Sequence, residues 1–434
     1  VCQDMDGTYW AVSTSGLLAR SDKTAWSVVP EGGGAAACVA ADRQGRLWVG
    51  TRGVGLRELN LRNGQLRTWL QGDGLPSNSI RAVLVAADDS LWFATNGPPR
   101  IGNLSHGKIR TWPTPPTTRT IRALVQDTKG VIWIGTSDGQ VLQVSGDALI
   151  SNPAFPNSDS ISVRCLHPTP DGSLWIGYDF QGVGIFKDGR YLQLSTASGL
   201  ADNSIWQIAS DRTGSLWFAG PHGLVRTPMD EAIAVAAGRR EKLRPTLYGQ
   251  EENLPKLQPH FDHSPAVCQS SDGRILLATS LGLLALNPEN IHSNPVPPPL
   301  VLERVTIDDQ LVAMRAARFP LRGMVAPEIL ELGSAGMTLH LRPDHRKLTI
   351  DFAALSYSAP ENVRLRYRLD GFDNAWTTPR SERSANYSRL PAGNYTFRVI
   401  ASNDAGVWNE EGATLGISVS PFYWQTWWFR LGLI

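Results

Sequence analysis

The ten residues from Asp211 to Gly220, Asp-Arg-Thr-Gly-Ser-Leu-Trp-Phe-Ala-Gly, constrain this chain most, because their pattern returns along two thirds of its length. Written as Asp-x-x-Gly-x-Leu-Trp-(Ile/Phe/Val)-(Gly/Ala)-Thr, it recurs from Asp42 to Thr51 and from Asp127 to Thr136. A copy that has lost its first Asp ends at Thr95, and looser copies lie at Asp4 to Thr14, Leu174 to Gly177 and Asp272 to Thr279. The marker tryptophans are Trp10, Trp48, Trp92, Trp133, Trp175 and Trp217, with Leu276 in the seventh place. A period near 42 residues, each a tight Asp/Gly turn followed by a short apolar Trp-bearing strand, is the requirement of a four-stranded propeller blade. Seven copies predict one closed ring. The Gly or Ala after each strand is expected to leave room for the next blade's Trp. A helical solenoid of similar period would need apolar residues at helical spacing, and these windows are short, β-branched and broken by Gly and Asn.

Two connecting loops repeat as well: Gly72-Asp-Gly-Leu-Pro-Ser-Asn-Ser-Ile80 and Ser198-Gly-Leu-Ala-Asp-Asn-Ser-Ile205. Loop, turn and strand together resemble the repeats of the two-component regulator propeller family over residues 1 to about 290. Departures are Leu276 in place of Trp and a long step before it, whose Ala-rich part from Asp230 to Leu243 predicts a short surface helix. Counting back from Trp10 puts Val1 in the middle of an inner strand. The chain therefore reads as a fragment with its first blade truncated and room for further blades before it.

Residues 291–300 hold Pro295-Val-Pro-Pro-Pro299, a stiff hinge. Beyond it, alternating segments at Lys347 to Phe352, Leu365 to Leu369 and Tyr395 to Val399, separated by turn residues, predict a β-sandwich of immunoglobulin or fibronectin type over 301–420. Tyr367-Arg-Leu-Asp-Gly-Phe-Asp with Trp376, then Tyr387, then Leu390-Pro-Ala-Gly-Asn-Tyr395, then Asn403 to Trp408, resemble the three-tyrosine (Y_Y_Y) domain. Each of the three tyrosines is expected to be a core ring with a satisfied hydroxyl. The all-β expectation is thus a seven-bladed propeller over 1–290 and a sandwich over 301–420. Residues 421–434, with six aromatics in nine residues, read as a juxtamembrane segment leading into a transmembrane helix.

Charge gives no support to one class: 41 Lys and Arg against 40 Asp and Glu is a near-neutral balance, whereas a nucleic-acid binder normally carries a clustered basic face. Four cysteines, Cys2, Cys38, Cys165 and Cys268, have neither metal spacing nor disulfide density and read as buried thiols, their disulfide state left open. No nucleophile motif, phosphate loop or metal-spaced cluster appears, so no catalytic residue, cofactor or metal is assigned. His260 and His263, with Asp262 between, form the one His-Asp cluster, which reads as a solvated loop. The more informative set stands one residue after each inner-strand opener: Ala37, Arg81, Arg122, Arg164, Trp206 and Pro265. Arg81, Arg122, Arg164 and Trp206 would give the channel a basic wall beside a stacking ring, suited to a small or oligosaccharide ligand, anionic in character. The alternative is arginines that only wet the channel or pair with carboxylates.

The two resemblances together imply the periplasmic sensor region of a hybrid histidine kinase or diguanylate cyclase, not itself an enzyme, anchored in the inner membrane of a Gram-negative bacterium and homodimeric through its sandwich. A propeller lyase of the virginiamycin-lyase type and a protein-interaction scaffold are the alternatives.

Overall fold

The computed structural model describes residues 1–21, 25–30, 35–98, 100–114, 118–156, 161–221, 223–248, 265–279, 282–291, 296–315, 330–332, 337–356, 363–379, 383–403, 407–425 and 429. The chain forms two compact units, Val1–Ile291 and His292–Ile434.

Seven antiparallel sheets follow one another along the first unit. Six have four strands and the last has three among the described residues, each pairing its strands in chain order. Their first strands are Cys2–Gln3, Ala36–Ala41, Ile80–Val85, Ile121–Gln126, Val163–Pro168, Gln207–Ser210 and Val267–Gln269. The ring closes on itself: the Val1 ammonium donates to Pro265 O at 2.9 Å, Ser271 N donates to Gln3 Oε1 at 2.7 Å, and Leu276 packs against Val1 and Tyr9.

The repeat's residue choice follows from one turn. In four copies the leading Asp accepts the backbone N–H groups two and four residues on with one oxygen and the indole Nε1–H of the marker Trp with the other. Asp4 holds Trp10 at 2.8 Å, Asp42 holds Trp48 at 2.9 Å, Asp127 holds Trp133 at 2.8 Å and Asp211 holds Trp217 at 2.8 Å. The Gly then takes positive φ to close the turn, as at Gly45 and Gly214. A short polar turn thereby fixes where a large ring enters the core.

All six marker tryptophans are buried, each in a cluster shared with the following sheet: Trp48 lies with Ile80 and Phe93, Trp133 with Val163 and Ile176, and Trp217 with Ile275 and Leu277. The glycine after the strand makes room for a different neighbour from the one expected. A Cβ on Gly50 would sit 2.7 Å from Ile80 Cγ2, one on Gly135 2.5 Å from Val163 Cγ1, and one on Gly177 2.7 Å from Ile205 O. The space is shared by the next sheet's inner-strand opener and, at Gly50 and Gly177, by Cys38 and Cys165 of the same sheet. The predicted helix is also shorter than its Ala-rich span: it covers Met229–Ala236, and Leu243 beyond it is buried beside Gly199.

The second unit is a sandwich. One sheet orders Leu330–Glu331, Gln310–Met314, Leu300–Ile307, Lys347–Ala354 and Ser384–Ser388; the other orders Thr338–Leu341, Trp408–Val419, Gly393–Ser402 and Arg364–Asp370. Alternating residues from both, among them Val305, Leu348, Ile350, Phe352, Leu369, Phe397 and Ile417, fill one core. It is not wholly antiparallel, since Leu330–Glu331 and Thr338–Leu341 pair in parallel at the sheet edges. Of the three tyrosines, Tyr387 is buried and donates to Asp373 Oδ2 at 2.8 Å, a carboxylate that also accepts Leu369 N. Tyr395 is half-buried and donates to Pro391 O at 3.0 Å; Tyr367 is half-buried with its ring against Phe352 and Phe397. Tyr423 and Trp424 are exposed, and no helix among the described residues is long and apolar enough to cross a membrane.

Candidate functional site

The inner strands enclose a cavity of about 320 Å³ along the axis of the ring. Arg122, Arg164, Trp206 and Pro265 line it where these strands begin; Val85, Val125, His167 and Pro168 line it where they end.

A recurring backbone irregularity marks the arginine positions. In the second, fourth and fifth sheets the ladder skips one inner-strand residue: Ala36 pairs Thr51 and Cys38 pairs Gly50; Ile121 pairs Thr136 and Ala123 pairs Gly135; Val163 pairs Tyr178 and Cys165 pairs Gly177. In the third sheet Ile80 pairs Thr95 and Ala82 pairs Ala94, leaving Arg81 out. Ala37, Arg81, Arg122 and Arg164 are thus the extra residues of four β-bulges in consecutive sheets. A bulge re-aims the side chain it carries. Trp206 occupies the same position one sheet on, immediately before the strand Gln207–Ser210, with its N–H donated to Ala219 O at 2.9 Å.

Of the four residues singled out in the sequence, Arg122, Arg164 and Trp206 share the cavity, while Arg81 is not among its lining and lies with Nη1 3.5 Å from Asn96 Oδ1. Arg164 is ion-paired to Asp179, both side chains mostly buried, so part of its charge is already answered within the protein. His260, Asp262, His263 and Pro295 lie outside the described residues. Among the described residues no group of three or more His, Cys, Asp or Glu could hold a metal ion. The four cysteines are free, and burial pushes the Cys2, Cys38 and Cys165 thiols up to about 12, which keeps them protonated and unreactive at neutral pH.

Sequence reading missed His167. Its Nε2 lies 3.0 Å from Ser210 Oγ, joining neighbouring inner strands at the far end of the cavity. Burial lowers its pKa from 6.5 to about 4. The imidazole therefore stays neutral in the fold while the unfolded chain takes up a proton below 6.5, so its contribution to stability is full above pH 6.5 and falls as pH drops toward 4. Because His167 is only partly buried at the cavity wall, about 1 kcal/mol should be lost at pH 5. Thermal unfolding of wild type and His167→Gln at pH 7.5 and 5 checks it; equal acid sensitivity in the two would show that His167 is not the group responsible.

The two component regulator propeller model matches residues 32–53, 74–97 and 115–138, and the Y_Y_Y domain model matches 356–420. Among curated proteins the chain is similar to the histidine kinase P4 of Formosa agariphila, 24% identical over 356 residues, which is 79% of this chain and 24% of that relative. Among solved structures it is similar to the extracellular domain assigned to the hybrid two component system BT3049 of B. thetaiotaomicron, with a TM-score of 0.70 at 20% identity, covering 97% of this chain and 55% of that one. A streptogramin B lyase structure matches with a TM-score of 0.50 at 13% identity, over 65% of this chain and 90% of that one. The chain thus spans about a quarter of the curated relative and about half of the larger solved one.

Proposed function

We propose that this chain, which carries two component regulator propeller repeats followed by a Y_Y_Y domain, is the extracytoplasmic ligand-sensing part of a membrane-bound signalling protein. The observation that supports the reading is the array of bulges: Arg122 and Arg164 are bulge residues and, with Trp206, line one cavity. Small-ligand sites are concave, mostly apolar, and supplied with a few placed polar groups, and this cavity has that composition. Guanidinium groups fit carboxylate or sulfate in a two-pronged fashion, and an indole offers a stacking face. The ligand class that follows is a small anion, a short acidic sugar being the first candidate. The output domain is a histidine kinase by analogy with the curated relative; a diguanylate cyclase is the other proposal. Ligand binding would reach it through pairing of two sandwiches, with the aromatic stretch around Tyr423 and Trp424 at the membrane.

An interaction scaffold would be expected to show a flat apolar face and no concave polar pocket, and the cavity argues against it. The lyase reading placed its chemistry on His260 and His263, which lie outside the described residues.

Titration calorimetry of wild type and Arg122→Ala against acidic and neutral mono- and oligosaccharides tests the reading. Loss of the arginine should weaken an anionic ligand by about 1.5–3 kcal/mol, and added salt should weaken the wild type. Unchanged affinity in the variant would move the site elsewhere.

A further inference from the structure

The second sheet of the sandwich turns one face to the core; the other is exposed around Asn394 and Thr396, while Ile400 and Ser402, opposite Arg366 and Arg364 in register, are buried. On the strand Arg364–Asp370, Leu365 and Leu369 are buried in the core, so Arg364, Arg366 and Arg368 alternate onto the outer face. On Gly393–Ser402, Phe397 and Val399 are core residues and Arg398 is outward, directly opposite Arg368 in register. Like charges opposite one another on neighbouring strands are destabilising. Arg368 has Asp370 as an ion-pair partner at 2.6 Å and Arg364 also has an interaction within the protein, whereas Arg398 has no ion-pair partner among the described residues.

Two tryptophans hold guanidinium planes in place: Arg366 lies 4.7 Å from the Trp408 ring centroid and Arg368 5.0 Å from that of Trp376. Stacking removes freedom that the side chains would otherwise lose on binding. Along the strand the three arginines repeat every second residue, about 6.7 Å apart. Exposed Thr396 and Thr414 lie on the same face, and none of the large exposed apolar side chains falls on its strands. Glu410 and Glu411, both exposed, stand on the strand Trp408–Val419 at the other side of Gly393–Ser402.

We propose that this outer face binds a linear acidic polysaccharide, its carboxylate or sulfate groups meeting Arg364, Arg366, Arg368 and Arg398 and its hydroxyls meeting the threonines. Other occupants fit worse. A second copy of the same face would bring like charges together. A folded protein partner would need an apolar patch at the centre of its interface, and a lipid surface would need apolar groups to insert. An extended acidic peptide added to the edge strand is blocked at its middle, where Tyr367 and Thr377 exchange backbone hydrogen bonds of 2.9 and 2.8 Å.

The test titrates the whole chain at low salt with polygalacturonate, heparin, neutral dextran and poly-glutamate, and repeats the titrations with Arg398→Gln, Arg364→Gln/Arg398→Gln and Arg122→Ala. At least one acidic polysaccharide should bind in a salt-sensitive manner, dextran and poly-glutamate should not, and binding should weaken about tenfold for each sandwich arginine removed. Arg122→Ala, which alters the propeller cavity, should bind the polymer as wild type does, so this site and the cavity stand or fall separately. Arg398→Gln should leave Tm unchanged or raise it, because it removes a like-charge pair; a lower Tm would mean that Arg398 serves the fold. The proposal is overturned if neither acidic polysaccharide binds, if poly-glutamate binds equally well, or if the sandwich variants bind like wild type.

Discussion

Trp175→Ala is expected to destabilise the propeller by about 3–5 kcal/mol. Trp175 is fully buried, in a cluster with Val183, Ile205, Leu216 and Phe218 that joins the fifth sheet to the sixth. Its ring lies 6.3 Å from that of Phe218, and Nε1 donates to Thr169 Oγ1 at 3.2 Å. Truncation removes the contact between two sheets and leaves a cavity that β-strands, pinned by their ladders on both sides, cannot collapse to fill. Chemical denaturation followed by circular dichroism measures the loss. A value below about 1 kcal/mol would mean that the ring does not carry the packing between sheets.

Why this ring was legible in the sequence, and other features were not, has a physical basis. Indole burial is repeated at a fixed period, so Trp10, Trp48, Trp92, Trp133, Trp175 and Trp217 announce the sheets without any knowledge of how neighbours meet. The role of Gly50 or Gly135 depends on which atoms approach across the gap, and periodicity carries no information about that; the approaching group is Ile80 or Val163, not a Trp. The arginine positions could be counted, but the bulges that aim them are ladder irregularities, visible only once pairing is known. His167 escaped notice because its partner Ser210 is 43 residues away, one sheet on, and neither belongs to the repeated pattern. In the sandwich the alternation in Arg364–Asp370 located the strand, whereas the parallel edge pairings of Leu330–Glu331 and Thr338–Leu341 come from short segments without alternation long enough to read.

Asp211→Ala is expected to cost about 3–4 kcal/mol, and Asp211→Thr distinctly less. The carboxylate accepts Thr213 N and Ser215 N at 2.9 Å each and Trp217 Nε1 at 2.8 Å, and Arg226 lies 3.6 Å away across a contact in which its guanidinium also faces the Trp217 ring. Alanine leaves these donors without an acceptor, in a turn whose Ser215 and Trp217 are buried. Threonine restores part of the pattern, as other copies of the turn show. In the fifth sheet Thr169 stands in the Asp position and accepts from Trp175, and a carboxylate two residues later, Asp171, takes up Thr169 Oγ1, Ser173 N and Ser173 Oγ. The seventh sheet repeats the exchange with Ser270 and Asp272, and the third with Ala86 and Asp88, which accepts Ser90 N and Ser90 Oγ. Wherever the leading carboxylate is lost, another thus stands two positions on. Asp211→Thr combined with Thr213→Asp should therefore recover stability beyond the single Thr variant, an interaction energy that a double-mutant cycle on unfolding free energies reads directly. Simple additivity of the two substitutions would show that the turn's carboxylate is not interchangeable between these positions.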